Sequence, residues 1–119
     1  MPTIAVIGAS ADRSKFGNRC VRAYVRQGWT VYPVNPRETS IENLTVYPSI
    51  ADVPAGTIDR VSVYLSAPLG LKVMEEIARR SDIGEVMLNP GADATEVVKR
   101  AQELGLNVVT GCALIAIGA

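Results

Sequence analysis

Histidine is absent from this 119-residue chain. Without an imidazole group, acid–base catalysis by histidine, a Ser-His or Cys-His nucleophile pair and a phosphohistidine intermediate are all excluded. Cysteine is scarce, because the sequence contains only Cys20 and Cys112, and their spacing is not that of a CxxC motif. We therefore expect neither a disulfide framework nor a structural metal site.

The sequence also lacks net charge and long apolar runs. Its 12 Lys and Arg residues balance 12 Asp and Glu residues, so nucleic acids and anionic membranes, which attract strongly positive proteins, are not expected partners. The apolar runs are interrupted by Gly or polar residues and are too short to cross a bilayer. No basic segment precedes the strand-like residues 3–7, so we expect a cytoplasmic protein.

What the chain does contain is typical of one folded domain over residues 1–119. Hydrophobic residues make up 48% of it and charged residues 20%. Short β-branched apolar runs predict strands at 3–7, 30–34, 60–65, 85–88 and 107–109. Apolar residues at helical spacing predict helices at 16–27, 69–80 and 94–104.

This alternation predicts an α/β fold in which helices cover both faces of a parallel sheet. We expect a Rossmann-like three-layer fold with a five-stranded parallel sheet in the order 3-2-1-4-5. Between the second and third strands, residues 44–47 are expected to form a short extended piece and residues 49–53 a helical turn. The apolar tail after Cys112 is expected to pack on the core or on a second subunit.

Charged residues on the second helix are spaced for ion pairs within that helix. Glu75 lies four residues before Arg79, and Glu76 lies four residues before Arg80. Side chains at this spacing are neighbours on a helix surface. We therefore expect these residues to pair on an exposed face.

The loop after the first strand, GASADRSKFG, has the features of a phosphate-binding turn. It follows a strand and opens a helix, and helix N-termini attract phosphate. Gly8 and Gly17 are nine residues apart, so the loop is longer than the GxGxxG turn of standard dinucleotide-binding proteins. Ser10, Arg13, Ser14 and Lys15 supply further groups that can contact a phosphate.

The end of the second strand carries no acid where NAD-dependent enzymes place one for the ribose hydroxyls. It carries Asn35, Pro36 and Arg37 instead, and the first acid is Glu38. An arginine suits a ribose that bears an extra phosphate, as in NADP and coenzyme A. The alternative is that Arg37 is a surface residue beside Glu38.

Four segments in this order carry a family resemblance: AVIGAS (5–10), VYPVNP (31–36), Ser66-Ala67-Pro68 and LNPGA (88–92). Together they resemble the small stand-alone coenzyme A-binding proteins of bacteria and archaea. Those proteins are relatives of the N-terminal domain of the succinyl-CoA synthetase α-subunit. The resemblance spans nearly the whole chain.

The resemblance implies a coenzyme A site formed by four loops. The first loop and the helix start would hold the phosphates, the second turn the ribose and its 3′-phosphate, and the third turn the adenine and pantetheine region, while the fourth would border the pantetheine end. In that order, the candidate residues are Gly8, Ser10, Lys15, Phe16 and Gly17; Asn35, Pro36 and Arg37; Ser66, Ala67 and Pro68; and Asn89, Pro90 and Gly91.

The resemblance also implies binding without catalysis. The phosphorylated histidine of the synthetase has no counterpart here, and the chain contains neither its ligase domain nor its ATP-grasp partner. We expect a coenzyme A or acyl-CoA binding protein that acts as a carrier, sensor or regulatory subunit. As a homo-oligomer or beside a separate catalytic subunit, it would bind a small molecule and neither nucleic acid nor membrane.

Two alternatives come from different classes of protein. One is an NADP-binding oxidoreductase or redox sensor, since the phosphate arguments apply equally to NADP. The other is a thiol enzyme or acyl carrier that uses Cys112, which follows the fifth strand beside Gly111. A buried, unreactive Cys112 is the simpler interpretation, and Cys20 is predicted to lie in the core.

Overall fold

A five-stranded parallel sheet forms the centre of the molecule. The structure, a computed structural model, describes residues 2–54 and 56–119. In chain order the strands are β1 (Thr3–Ile7), β2 (Thr30–Val34), β3 (Ser40–Ile41), β4 (Leu44–Thr45), β5 (Ile58–Val63), β6 (Ile83–Leu88) and β7 (Val108–Thr110). Strands β3 and β4 form a separate antiparallel pair. The order across the parallel sheet is β2-β1-β5-β6-β7.

Helices cover both faces of this sheet, as in a three-layer fold. The helices are α1 (Phe16–Arg26), α2 (Ala67–Ala78), α3 (Thr95–Glu103) and α4 (Ala113–Ala116). Alternate residues of β1 point to opposite faces. Ile4 and Val6 pack in the core with α1 and α4, while Ala5 and Ile7 pack in the core with α2 and α3. The predicted Rossmann-like fold is therefore confirmed.

The strand order differs from the predicted 3-2-1-4-5: when the five predicted strands are numbered along the chain, the sheet has the order 2-1-3-4-5. Tyr47 forms a single parallel bridge with Val34 and so lies outside β2. Strand β5 lies directly beside β1, and the position beyond β2, where the prediction put the third strand, holds only this single bridge. The segment 60–65, which was counted third in the sequence, is thus central, and its position fixes where the sheet order reverses.

The second helix begins two residues earlier than predicted. Ala67 and Pro68, assigned to a turn from the sequence, form the first turn of α2 after Ser66 at the N-cap. Proline is tolerated there because the first N–H groups of a helix have no intrahelical partner.

The apolar tail packs on the core through its first residues, while Ile115 is 76% exposed. Ala113 is fully buried, and Leu114 is almost so. Within the described part of the chain, no helix is long and apolar enough to cross a membrane.

Candidate functional site

A cleft opens at the carboxyl edge of the sheet, where the order of strands reverses. From β1 the chain crosses to β2 on one side, and β5 lies on the other side. In open α/β sheets this is the place where ligands bind. The cleft has a volume of about 510 Å³, within the range of small-molecule sites. It is lined by Gly8, Ala9, Ser10, Lys15, Phe16, Gly17, Asn35, Tyr64, Leu65, Ser66, Pro90, Gly91 and Ala92.

Two glycines allow the first loop to lie close against its neighbours. Gly8 has a φ of +86°, and a Cβ at this position would collide with the carbonyl oxygen of Tyr64. A Cβ on Gly17 would collide with the carbonyl oxygen of Gly8. Only glycine fits at either position, so the start of α1 is brought directly against the end of β1.

The N-terminus of α1 presents a positive end to this cleft. Lys15 is the N-cap residue, no side chain caps the helix, and the first turn carries no acidic residue. The first N–H groups of a helix have no intrahelical acceptor, and the helix dipole adds partial positive charge there. Lys15 lines the same cleft, so its ammonium group adds to an environment that favours an anion.

The first loop is held in shape by its own polar side chains. Ser14 donates from both its backbone N–H and its hydroxyl to Asp12 Oδ1, at 3.0 and 2.7 Å. These hydrogen bonds lower the pKa of the Asp12 carboxyl. The Asp12 N–H donates to the Ser10 hydroxyl oxygen at 3.0 Å, which leaves the Ser10 proton available to a ligand.

Asn35 connects the second loop to the first. Its Nδ2 donates to the Ala9 carbonyl at 2.8 Å, and its Oδ1 accepts from the Arg37 N–H at 2.8 Å. Asn35 lines the cleft, whereas Pro36 and Arg37 are exposed outside its lining. The Arg37 guanidinium forms no hydrogen bond or ion pair with any residue in 2–54 or 56–119, so it is not paired with Glu38.

The third and fourth turns each contribute part of their predicted residues. Ser66, Pro90 and Gly91 line the cleft, whereas Ala67 and Pro68, in the first turn of α2, do not. The Asn89 side chain is buried and points into the fold.

Asn89 has a role within the fold. Its Nδ2 donates to Ser62 Oγ at 2.9 Å and to the Val63 carbonyl at 3.0 Å, while its Oδ1 accepts from the Ala113 N–H at 2.8 Å. Asn89 thus links the start of α4 to the end of β5 through hydrogen bonds.

Four lining residues were not among the sequence candidates: Ala9, Tyr64, Leu65 and Ala92. Tyr64 and Leu65 closed the predicted strand 60–65, but β5 ends at Val63, which moves both residues into the loop. The Tyr64 hydroxyl is buried without a hydrogen-bond partner among the described residues. Burial raises the pKa of Tyr64, so its phenol is neutral at physiological pH.

The two cysteines occupy different environments. Cys20 is fully buried in the core, as predicted, and burial raises the pKa of its thiol. Cys112 is half-buried at the start of α4 and is not part of the cleft lining. This position gives no support to a thiol reaction at the cleft.

Comparison with protein families gives a match over nearly the whole chain. The model of a family described as CoA binding domain matches residues 2–118. The chain is 30% identical over 115 residues to an acetate–CoA ligase [ADP-forming] I of Archaeoglobus fulgidus, a match that covers 89% of this chain and 17% of the ligase. It is 28% identical to an acetate–CoA ligase [ADP-forming] II subunit alpha of Pyrococcus furiosus, covering 89% of this chain and 25% of that subunit. The chain thus spans a quarter or less of these curated relatives.

Solved structures agree with this match. A hypothetical protein from Pyrococcus horikoshii OT3 superposes with a TM-score of 0.85 at 27% identity, covering 94% of this chain and 78% of that protein. The dinucleotide forming acetyl-coenzyme A synthetase 1 of Ca. Korarchaeum cryptofilum, solved with phosphate and ADP, superposes with a TM-score of 0.75 at 28% identity. That match covers 90% of this chain and 25% of the synthetase. Since the family model spans almost every residue, the chain belongs to the CoA binding domain family.

Proposed function

We propose that this protein binds coenzyme A or an acyl-CoA in the cleft at the carboxyl edge of the sheet, without catalysing a reaction on it. The observation that carries this proposal is the uncompensated N-terminus of α1, which faces a cleft of about 510 Å³ beside Lys15. Membership of the CoA binding domain family supports coenzyme A as the anion held there.

The first loop provides the groups for the pyrophosphate. Gly8 and Gly17 let a phosphate approach the backbone, the α1 N–H groups donate to it, and Lys15 supplies a full positive charge. The Ser10 hydroxyl donates one further hydrogen bond. Because Asp12 and Ser14 hold the loop in this shape before binding, little conformational entropy is lost when the ligand arrives.

The remaining three turns bind the rest of the ligand in this proposal. Asn35, Pro36 and Arg37 lie by the ribose and its 3′-phosphate, and the unpaired Arg37 side chain turns from solvent to the phosphate. Ser66, Ala67 and Pro68 pack beside the adenine and pantetheine region. Pro90 and Gly91 border the pantetheine end, and Asn89 holds this turn in place from behind.

The residues of this chain support the proposed role without catalysis. Coenzyme A supplies a reactive thiol, but the chain has no histidine to accept a phosphoryl group or a proton. A carrier, a sensor or a regulatory subunit beside a separate catalytic chain fits these residues. An NADP-dependent oxidoreductase is not favoured, since the family and the ligase relatives are described by coenzyme A.

Calorimetric titration with coenzyme A, 3′-dephospho-coenzyme A and NADPH tests the proposal. Coenzyme A is expected to bind, and Lys15→Gln should weaken it by about tenfold through the loss of one charge-assisted contact. Arg37→Gln should weaken coenzyme A but leave dephospho-coenzyme A unchanged. Lys72→Gln, a matched change on the exposed side of α2, is the control and should have no effect.

Each outcome bears on a separate part of the proposal. No binding of either coenzyme A form would overturn it, and binding of NADPH alone would replace it with the oxidoreductase alternative. Equal affinity for both coenzyme A forms would remove only the role of Arg37.

A further inference from the structure

Positive charge is concentrated in one segment of a chain whose net charge is zero. Residues 13–37 contain six of the 12 Lys and Arg residues and no Asp or Glu. Two of the six, Lys15 and Arg37, have been assigned to the coenzyme A site. The other four are arginines, and three of them belong to α1: Arg19, Arg22 and Arg26.

These three arginines line a groove separate from the cleft. Their spacing of three and four residues places them on one side of α1. Together with Ala23, Leu114 and Ala119 they surround a volume of about 160 Å³. No residue is shared between this groove and the lining of the cleft, so an occupant here would not displace one there.

No Asp or Glu side chain among the described residues forms an ion pair with these three guanidinium groups. Within residues 2–54 and 56–119, Arg13, Arg60, Arg80 and Arg100 each form an ion pair with an acid, whereas Arg19, Arg22 and Arg26 form none. Like charges at this spacing destabilise a helix, and Arg19 in addition lies near the positive end of the helix dipole. The three arginines therefore lower the free energy of unfolding unless a bound anion offsets their repulsion.

Two of the three side chains are already held in position by uncharged partners. Arg22 donates from Nε to Asn18 Oδ1 at 2.7 Å and from NH2 to the Arg13 carbonyl at 2.9 Å. The Arg19 guanidinium lies over the Phe16 ring, 5.0 Å from its centre. An anion that enters the groove thus meets a partly preformed set of donors, and less side-chain entropy is lost on binding.

We propose that this groove between α1 and the C-terminal segment is a second anion site, which takes a small phosphoryl anion such as phosphate or pyrophosphate. Guanidinium groups bind phosphate oxygens through paired hydrogen bonds, and three of them match an anion with several negative charges. A volume of about 160 Å³ accommodates a phosphate or pyrophosphate but not a nucleotide.

The test is titration of the whole protein with pyrophosphate and, separately, with inorganic phosphate. Binding is measured by the changes in amide NMR chemical shifts. Coenzyme A is present in excess to occupy the cleft, and the titration is repeated without it. Saturable shifts are expected at Ala23 and Leu114, with pyrophosphate tighter than phosphate. Arg19→Gln and Arg26→Gln should each weaken pyrophosphate by about tenfold, whereas Arg79→Gln, an exposed arginine on the other face of the sheet, should not.

Three results would overturn the second site. One is the absence of saturable shifts at Ala23 and Leu114 up to about 10 mM pyrophosphate, since such binding is too weak to be specific. Another is an equal loss of affinity in Arg79→Gln, which would indicate a response to overall charge. The third is complete loss of pyrophosphate binding when sodium chloride is added to the same ionic strength as the pyrophosphate solution. Binding at the groove is also measured without coenzyme A. The test therefore remains valid if coenzyme A does not bind in the cleft.

Discussion

At the scale of single residues, two close backbone approaches determine the shape of the first loop. Gly8 and Gly17 lie against the Tyr64 and Gly8 carbonyls at distances that leave no room for a side chain. The spacing of nine residues between them is therefore compatible with a compact site, although it differs from the GxGxxG turn. A single methyl group at Gly17 would force the loop and the helix start apart.

Gly17→Ala should lower the free energy of unfolding by about 1–3 kcal/mol, because the added Cβ overlaps backbone atoms that cannot move independently. It should also weaken coenzyme A, since the α1 N–H groups leave their position. Gly111→Ala is the matched control, as a Cβ there meets nothing within 4 Å. Urea denaturation and calorimetry measure the two effects, and a Gly17→Ala variant as stable as wild type would contradict this account of the loop.

At the scale of secondary-structure elements, Tyr24 joins parts of the fold that are distant in sequence. Its hydroxyl donates to the Ala113 carbonyl of α4 at 2.7 Å and accepts from Arg60 NH1 of β5 at 2.9 Å. Arg60 in turn donates from Nε to Glu85 Oε1 of β6 at 2.6 Å. One buried phenol thus connects α1, the sheet and the C-terminal helix.

Tyr24→Phe should destabilise the fold by about 1–3 kcal/mol, because it leaves a buried carbonyl and part of a half-buried guanidinium without a partner. Amide exchange at Ala116, whose N–H donates to the Cys112 carbonyl, should become faster as α4 loosens. Tyr32→Phe provides the comparison, since the Tyr32 ring packs edge-on against Tyr47 and its hydroxyl has no hydrogen bond in the described residues. Equal stability of the two variants would exclude a structural role for the Tyr24 hydroxyl.

Hydrophobic spacing was sufficient to predict the elements that form the core. Cys20, Val21 and Tyr24 of α1 are buried as the apolar pattern predicts, whereas Phe16 and Val25 of the same pattern are exposed. Ion pairs were not predictable in the same way. Glu75 was expected to pair with Arg79, but it binds Arg100 of α3 through two hydrogen bonds of 2.8 Å. Arg80 lies beyond the end of α2 at Ala78, and it pairs with Asp82 in the turn that follows the helix.

The sequence predicted which turns form the candidate site, because their position depends on the backbone. It predicted less well which side chains in those turns point into the cleft. The turns after β1, β5 and β6 meet at the cleft because parallel strands end at one edge of the sheet. Asn89 lies in such a turn, yet its side chain is directed inward by Ser62 and Ala113. Neither partner is near Asn89 in sequence, so no local pattern could indicate this orientation.

At the scale of the whole molecule, the absence of histidine determines how stability responds to pH. No side chain in the sequence has an ordinary pKa between about 5 and 8. Hydrogen bonds lower the pKa of the Asp82 carboxyl, chiefly those from Arg80, and burial raises the pKa of Cys20 and Tyr24. The two kinds of shift act at opposite ends of the pH range.

We therefore expect a free energy of unfolding that is constant between about pH 5 and 8 and falls on both sides. A carboxyl with a lowered pKa stabilises the fold above its ordinary pKa, and this contribution is lost as pH falls below about 4. A thiol or phenol with a raised pKa stabilises the fold below its ordinary pKa, and this contribution is lost as pH rises above about 8.5. Urea denaturation from pH 3 to 10 measures the profile, and Asp82→Asn should flatten its acid side alone. A transition near pH 6.5 would contradict the expected profile, because the sequence contains no histidine.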